Sequence, residues 1–525
     1  MLKVEIVILN ANVLTLNPRQ PKAEAIAIHD GKIVAVGSNE EICGHVDGKT
    51  KVIDAKNRMI VPGFVDCHTH MLGFGRSLQT LDLRNVKSIG EMQRKLSDYC
   101  RENPDKNWVL GEQWDQEKFA EKRYPNRWDL DAAVPHKPTF IIRVCGHLGV
   151  ANSKALQLAG ITRDTKVSDG KVCLDESKGE PNGILLENAM ELVWRAIPKP
   201  SLEEIEETCL SACRKAAEVG LTGVHWIVES AEEVRALQRL SLRGKLPIRV
   251  YFGIPVELLD NLVGLGLLTG FGNGMVKIGF VKILADGSLG ARTAALKAPY
   301  SDDPATSGKM LYTQRQLNKL FLRAHRAGLQ LAVHAIGDRC MEMVLEAFEK
   351  SLREHPRENH RHRIEHCSVL NPGLIGRMKR LGLIASVQPH FVVSDFWVND
   401  RVGRERARWV YPFRTLMREG VTVVSGSDYP VEPLNPILGI WAATNRSLVD
   451  ENLTVEEALR TYTINAAYAS FNEDKCGTIE VGKFADLTIL SDDLFSIPPY
   501  KIRDVAVEMT IVDGKIVYTR SLAHA

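Results

Sequence analysis

Two histidines separated by a single residue, His68 and His70, close the run Val61-Pro-Gly-Phe-Val-Asp-Cys-His-Thr-His70. In a β-strand, residues two apart point to one face, so a strand here presents two imidazoles side by side, a metal-ligand geometry. Asp66 falls on the same face. Pro62-Gly63 punctuates the entry, and the short apolar run after it reads as a strand buried on both sides. Further along, polar groups recur in strand candidates or at their ends: Lys282 in Gly279-Phe-Val-Lys-Ile-Leu284, His334 after Gln330-Leu-Ala-Val, His366 after Arg361-His-Arg-Ile-Glu, and Asp428 in Val424-Ser-Gly-Ser-Asp428. Imidazole and carboxylate are ligands of a borderline divalent ion such as Zn²⁺, and a catalytic site needs about three or four of them with one position open for water. Each alone has an ordinary alternative as a core histidine, a surface lysine or a helix N-cap. Their joint recurrence at strand ends points to one site.

The elements that must position these groups alternate in type. Strand candidates are the run before His68, then 220–225, 247–252, 279–284, 330–334, 361–366, 383–387 and 420–425. The segments between them carry helical apolar spacing, as at Leu317, Leu320, Phe321 and Ala324, or from Met341 to Phe348. Alternating β and α units repeated this way imply a (β/α)8 TIM barrel, with its chemistry at the C-terminal strand ends. An open doubly wound sheet offers no reason for polar residues to recur there, and no Gly-x-Gly-x-x-Gly opens a helix.

From His70 to Leu221 is about 150 residues, several times a βα unit. A large insertion after barrel strand 1, residues 75–205, is therefore expected. It carries strand signals at 108–111 and 139–144, and emerging where it does it is expected to act as a lid and a source of selectivity. The barrel itself is assigned to 59–74 and 206–474. The ends, 1–58 and 475–525, read as short strands, and Asp513-Gly-Lys-Ile-Val517 repeats Asp30-Gly-Lys-Ile-Val34 letter for letter. Two halves of one small β-domain, built from both termini, account for the echo.

At 525 residues the chain exceeds one ordinary core. Its 44% hydrophobic and 25% charged residues are those of a soluble globular protein, and a net charge of +2 gives no electrostatic case for nucleic acid or an anionic membrane. Glu5 interrupts the first apolar stretch and no run approaches the ~18 residues of a membrane span, so a cytoplasmic protein is expected. Ten cysteines without Cys-x-x-Cys spacing indicate neither a disulfide framework nor a cysteine zinc site. The expected partner is a small-molecule substrate, and a homodimer is compatible.

With these residues in place, the chain resembles the amidohydrolase superfamily of metal-dependent hydrolases, and more narrowly its YtcJ-like branch, which includes N-substituted formamide deformylase. The resemblance covers nearly the whole chain. It rests on Pro62–His70, Val281-Lys-Ile-Leu-Ala-Asp-Gly-Ser-Leu-Gly-Ala-Arg-Thr293, Val333-His-Ala-Ile-Gly-Asp338, Ile364-Glu-His366, Gly426-Ser-Asp428 and Gly482-Lys-Phe-Ala-Asp-Leu487, with Gly146-His-Leu-Gly-Val-Ala-Asn-Ser-Lys154 and Pro181-Asn-Gly183 in the insertion. It implies a terminal β-sandwich, metal ligands at His68, His70, His334 and His366, and Asp428 as ligand and base. Cys67 stands where the family often has a small residue. An ammonium has no lone pair, so Lys282 joins the site only when carboxylated to a carbamate bridging two ions. A binuclear zinc site is the first expectation and a mononuclear one the second.

The expected reaction is hydrolysis of a non-peptide C–N bond in an amide or N-acyl amine. Metal-activated hydroxide attacks the carbonyl, and Asp428 moves the proton to the departing nitrogen. Trp114, His147, Arg292 and His390 are candidate substrate contacts, with packing for Trp114 and an aspartate partner such as Asp286 for Arg292 as the plainer alternatives. Deamination of an aminated heterocycle ranks lower: such relatives lack the strand-4 lysine and carry a Glu shortly after the strand-5 His, where this chain reads Ala-Ile-Gly-Asp. A non-catalytic relative ranks last, because all six positions are filled.

Overall fold

Eight parallel strands form the centre of the computed structural model, which describes residues 3–77, 80–145 and 147–520. They are β1 (Phe64–Thr69), β2 (Leu221–Ile227), β3 (Arg249–Pro255), β4 (Val276–Leu284), β5 (Gln330–Ala335), β6 (Arg363–His366), β7 (Ile384–Val387) and β8 (Thr422–Ser425), and each pairs with the next. The sheet closes on itself. Asp428 N–H donates to His68 O at 2.7 Å and His70 N–H to Tyr429 O at 2.9 Å, joining the end of β8 to the end of β1. The fold is thus a (β/α)8 barrel, with strands buried on both faces. In β2 every residue is buried.

The helices between strands show why the local sequence suffices to form them. Gln314–Arg326 starts at Thr313, whose hydroxyl caps Gln316 N–H while the Gln316 side chain returns to the Thr313 backbone. Such a cap contributes ~1 kcal/mol. Leu317, Phe321 and Ala324 form its buried face, and each large apolar side chain buried there is worth about 2–3 kcal/mol.

The ends of the chain build two further sheets, the first from N-terminal residues alone and the second from both termini. One has the order Lys32–Gly37, Ala25–His29, Ile6–Leu9, Lys51–Asp54, and the other Lys515–Thr519, Val507–Val512, Leu487–Leu490, Met59–Pro62, Asn12–Leu14, Lys22–Ala23. Ile8, Val13, Ile28, Ile60, Leu487 and Ile511 pack in their common core, making a β-sandwich. The apolar run around Pro62 is therefore two strands. Met59–Pro62 pairs with Leu487–Leu490, and the chain then passes Gly63 into β1. A Cβ on Gly63 would lie 2.2 Å from Thr222 Oγ1, so only glycine fits at this crossing. The repeated Asp-Gly pairs are hairpin turns with positive φ at both residues, 47° and 71° at Asp30-Gly31 and 52° and 71° at Asp513-Gly514. The two turns abut: Ala485 N–H donates to Gly31 O, and Gly514 N–H donates to Ala485 O.

The chain divides into two compact units, Met1–Phe74 with Ile205–Ala525, and Gly75–Glu204. The second has its own six-stranded mixed sheet, ordered Gly170–Leu174, Pro181–Glu187, Leu148–Ala151, Thr139–Arg143, Val109–Trp114, Leu81–Asp82. Its own core includes Met92, Leu96, Trp114, Phe119, Leu130 and Ile141. Gly146, which opens one of the motifs above, lies outside the described residues. All ten cysteines are free, and among the described residues no helix is long and apolar enough to cross a membrane.

Candidate metal centre

His68 sits in β1 and His70 one residue past its end. Asp66, though two residues before His68, serves a different purpose. Its carboxylate accepts the N–H groups of His68 and Ser427, each at 3.0 Å, and so seals β1 to the segment after β8. Burial raises this carboxyl to about 7. Gly426 lies where a Cβ would be 2.5 Å from His68 N, which leaves no room for a side chain at the seam.

The six strand-end residues form a contiguous group. Lys282 Nζ is 3.1 Å from His68 Nε2, and Asp428 Oδ1 is 3.3 Å from His68 Nε2 and 3.4 Å from His70 Nε2. The His366 ring centroid lies 5.0 Å from that of His68 and 4.5 Å from that of His334. Strict strand alternation would have turned His366 away from the face shared by Arg363 and Glu365. It is brought back because His366 and Cys367 take positive φ, 74° and 48°, as Asp428 does at 55°. Non-glycine residues in that region are held there by their surroundings, and such positions cluster at functional sites.

Each of three imidazoles is fixed from behind. His68 Nδ1–H donates to the Glu365 carboxylate, His366 Nδ1–H to Gln388 Oε1 at 2.7 Å, and His334 Nε2–H to Gly287 O at 3.0 Å. The other ring nitrogen of each must then carry a lone pair. Burial lowers the His68 imidazole to about 4 and His366 well below its ordinary value, so both are neutral near pH 7. Burial alone would raise the Asp428 carboxyl, but the His68 and His70 imidazoles hold it below the ordinary carboxylate range. One ligand atom each from His68, His70 and Asp428 lies within 4.8 Å of the others, the only such group among the described residues. Neutral imidazoles with a carboxylate suit a divalent ion.

Burial also pushes the Lys282 ammonium down to about 8.

The candidate substrate contacts fare differently. Trp114 is a correction: its side chain is fully buried against Phe119 and Tyr124 in the core of the inserted unit, and packing leaves it no surface for a ligand. His147 is exposed and paired with Glu187 at 2.9 Å. Arg292 is held by Asp302 through two bonds of 3.1 and 2.9 Å, and not by Asp286, which instead accepts the N–H groups of Ala295, Ile336 and Gly337. His390 follows β7 and donates through Nδ1 to Glu432, which also takes the Ser394 hydroxyl.

Sequence reasoning missed Glu365, Arg363 and Gln388. The signal for the first two was present: an Arg and a Glu two residues apart, on one face of the strand candidate that ends in His366.

Fold and site together place the chain in the amidohydrolase family, whose pattern matches residues 51–518. The chain belongs to it, and the resemblance carried by the motifs extends over the whole length. The putative amidohydrolase YtcJ of Bacillus subtilis is 36% identical over 527 residues, 97% of this chain and 98% of that one. N-substituted formamide deformylase of Arthrobacter pascens is 28% identical over 98% of this chain and 99% of its own. Among solved structures, an uncharacterized metal-dependent hydrolase from Pyrococcus furiosus is similar at a TM-score of 0.81 and 33% identity, covering 94% of this chain and 100% of that one.

Proposed function

We propose that this chain is a divalent-metal hydrolase that cleaves the C–N bond of a small non-peptide amide or N-acyl amine, with zinc as its ion. The observation that carries the reading is the set of three imidazoles, each donating outward to a fixed acceptor and keeping its other lone pair, beside the ionised Asp428. Similarity to N-substituted formamide deformylase favours an amide or formamide over other hydrolysable bonds.

His68, His70, His334, His366 and Asp428 would hold the ion. A bound divalent ion supplies Lewis acidity, polarising a carbonyl and lowering the pKa of water towards ~7. Asp428 Oδ1 takes the proton of the attacking water and returns it to the departing nitrogen, which leaves badly unless protonated. Lys282, with an amine shifted to about 8, has roughly a tenth of its population unprotonated at pH 7, the form that adds CO₂. Its carbamate would supply the oxygen ligands for a second ion. His390, fixed by Glu432, is assigned to the substrate.

The test is a mass-spectrometric product assay of zinc-loaded protein on N-formyl and N-acyl amines, cyclic amides and aminated heterocycles. A carboxylate plus an amine is expected. Ammonia released from a heterocycle, with no amide cleaved, would replace this reading with deamination. Elemental analysis after incubation with bicarbonate and excess zinc should give two ions per chain, and one ion would remove the bridged site.

A further inference from the structure

Of the three backed imidazoles, His68 alone donates a hydrogen bond to a carboxylate. His366 is backed by an amide oxygen and His334 by a backbone carbonyl, with Asp286 Oδ1 further off at 3.4 Å and its carboxylate already accepting three backbone N–H groups, whereas His68 donates directly to Glu365. That carboxylate, Glu365, is fully buried, as is its partner Arg363, two residues earlier on the same face of β6. Arg363 Nε donates to Glu365 Oε1 at 2.5 Å and Nη2 to Oε2 at 3.0 Å, so the fork of the guanidinium grips both oxygens. The remaining reach of the guanidinium goes to Ser386 Oγ on β7 at 2.8 Å, His225 Nδ1 on β2 at 2.7 Å, and Cys67 O on β1. One side chain on β6 thus ties down three other barrel strands and fixes the carboxylate that holds His68.

A buried ion pair is a poor way to stabilise a barrel, because desolvating two charges offsets most of their attraction and apolar residues of the same size do as well. Orientation is what apolar residues could not supply. A carboxylate behind a ligating histidine fixes its tautomer, aims its ring and strengthens the other nitrogen as a donor. We propose that the Arg363–Glu365 pair is a positioning device for His68, there to hold Nε2 as a strong, fixed donor so that the position shared by His68, His70 and Asp428 binds its divalent ion tightly. The proposal rests on the metal-site reading above and goes beyond it by assigning these two buried residues to ion affinity.

The test measures zinc affinity by competition with a chromophoric chelator, together with the visible spectrum of the cobalt(II)-substituted protein. Glu365→Gln keeps an oxygen opposite His68 Nδ1–H but removes the charge. The double variant R363M/E365Q also removes the guanidinium, so that no unpaired charge is left buried, and it decides the matter if the single variant folds poorly. Zinc binding 10–100-fold weaker with altered cobalt bands is expected in both. Wild-type zinc affinity and an unchanged cobalt spectrum would overturn the proposal. His68→Ala separates the two ideas: if it binds zinc like the wild type, the metal-site reading fails, and if it loses zinc while the Glu365 variants do not, only the positioning role fails.

Discussion

The barrel carries two clusters of histidines, and they are built on opposite principles. At the C-terminal strand ends, His68, His334 and His366 each have one nitrogen committed and one lone pair left over, next to a carboxylate. At the other end of β5 and β6, His325, His360 and His362 have none to spare. Leu331 N–H donates to His362 Nδ1 at 3.0 Å, so His362 Nε2 must carry the proton it gives to His325 Nδ1 at 2.8 Å, and His325 Nε2–H goes on to His355 O at 2.7 Å. His360 is used up in the same way, accepting from His362 N–H and donating to Leu381 O. Counting histidines would rank the clusters alike. Counting uncommitted lone pairs separates a metal-capable site from a brace whose hydrogen bonds run to imidazoles and backbone groups.

Three perturbations sharpen that contrast. The largest effect belongs to Asp428→Asn, which should keep bound metal and lose at least ~100-fold in kcat; turnover close to wild type with full metal content would take the general-base role away from the carboxylate that lies between His68 and His70. Next, His366→Ala should lower metal content, measured by elemental analysis, whereas His362→Ala should leave it unchanged. His362→Ala should instead cost about 2–4 kcal/mol in denaturant unfolding, because Leu331 N–H and His325 Nδ1 lose their partners. Metal loss in His362→Ala would erase the distinction between the clusters.

The smallest effect is a pH dependence owned by the brace. Burial lowers His360 from its ordinary value to about 4, and lowers His325 and His362 as well. Because the folded values are depressed, the unfolded chain binds more protons below pH 6.5, so this stability is present above 6.5 and is lost as pH falls towards 4. For His360 alone the loss between pH 6.5 and 5.5 is roughly 1 kcal/mol. With chelator present to remove bound ions, the melting temperature of the wild type should fall more steeply over that interval than that of His360→Gln, which keeps the buried His68 and Asp66 that titrate in the same range. Equal slopes would mean that the brace accommodates protons after all.

The strand-and-helix rhythm and the site residues at strand ends were legible because period and residue type are local properties of the chain. The strands expected at 330–334 and 383–387 are observed at Gln330–Ala335 and Ile384–Val387, and the polar ends His334 and Asp428 stand where the barrel needs them. Trp114 was misread as a contact because an aromatic residue in an insertion looks the same whether it packs or binds, and only burial distinguishes the two. Arg292 was given the nearer aspartate in sequence, but Asp286 was already taken by three backbone N–H groups.

The class of fold, the family and the six residues that could meet at one rim follow from the order of residues, since alternation, turn chemistry and ligand type are written residue by residue. Which nitrogen of each imidazole is free follows only from how the strands come together. That depends on Glu365, Gln388 and Gly287, supplied by β6, by the end of β7 and by the loop after β4, and on the positive φ that swings His366 back to the site. A lone pair is assigned by what occupies the opposite side of the ring, and that neighbour is always distant in sequence.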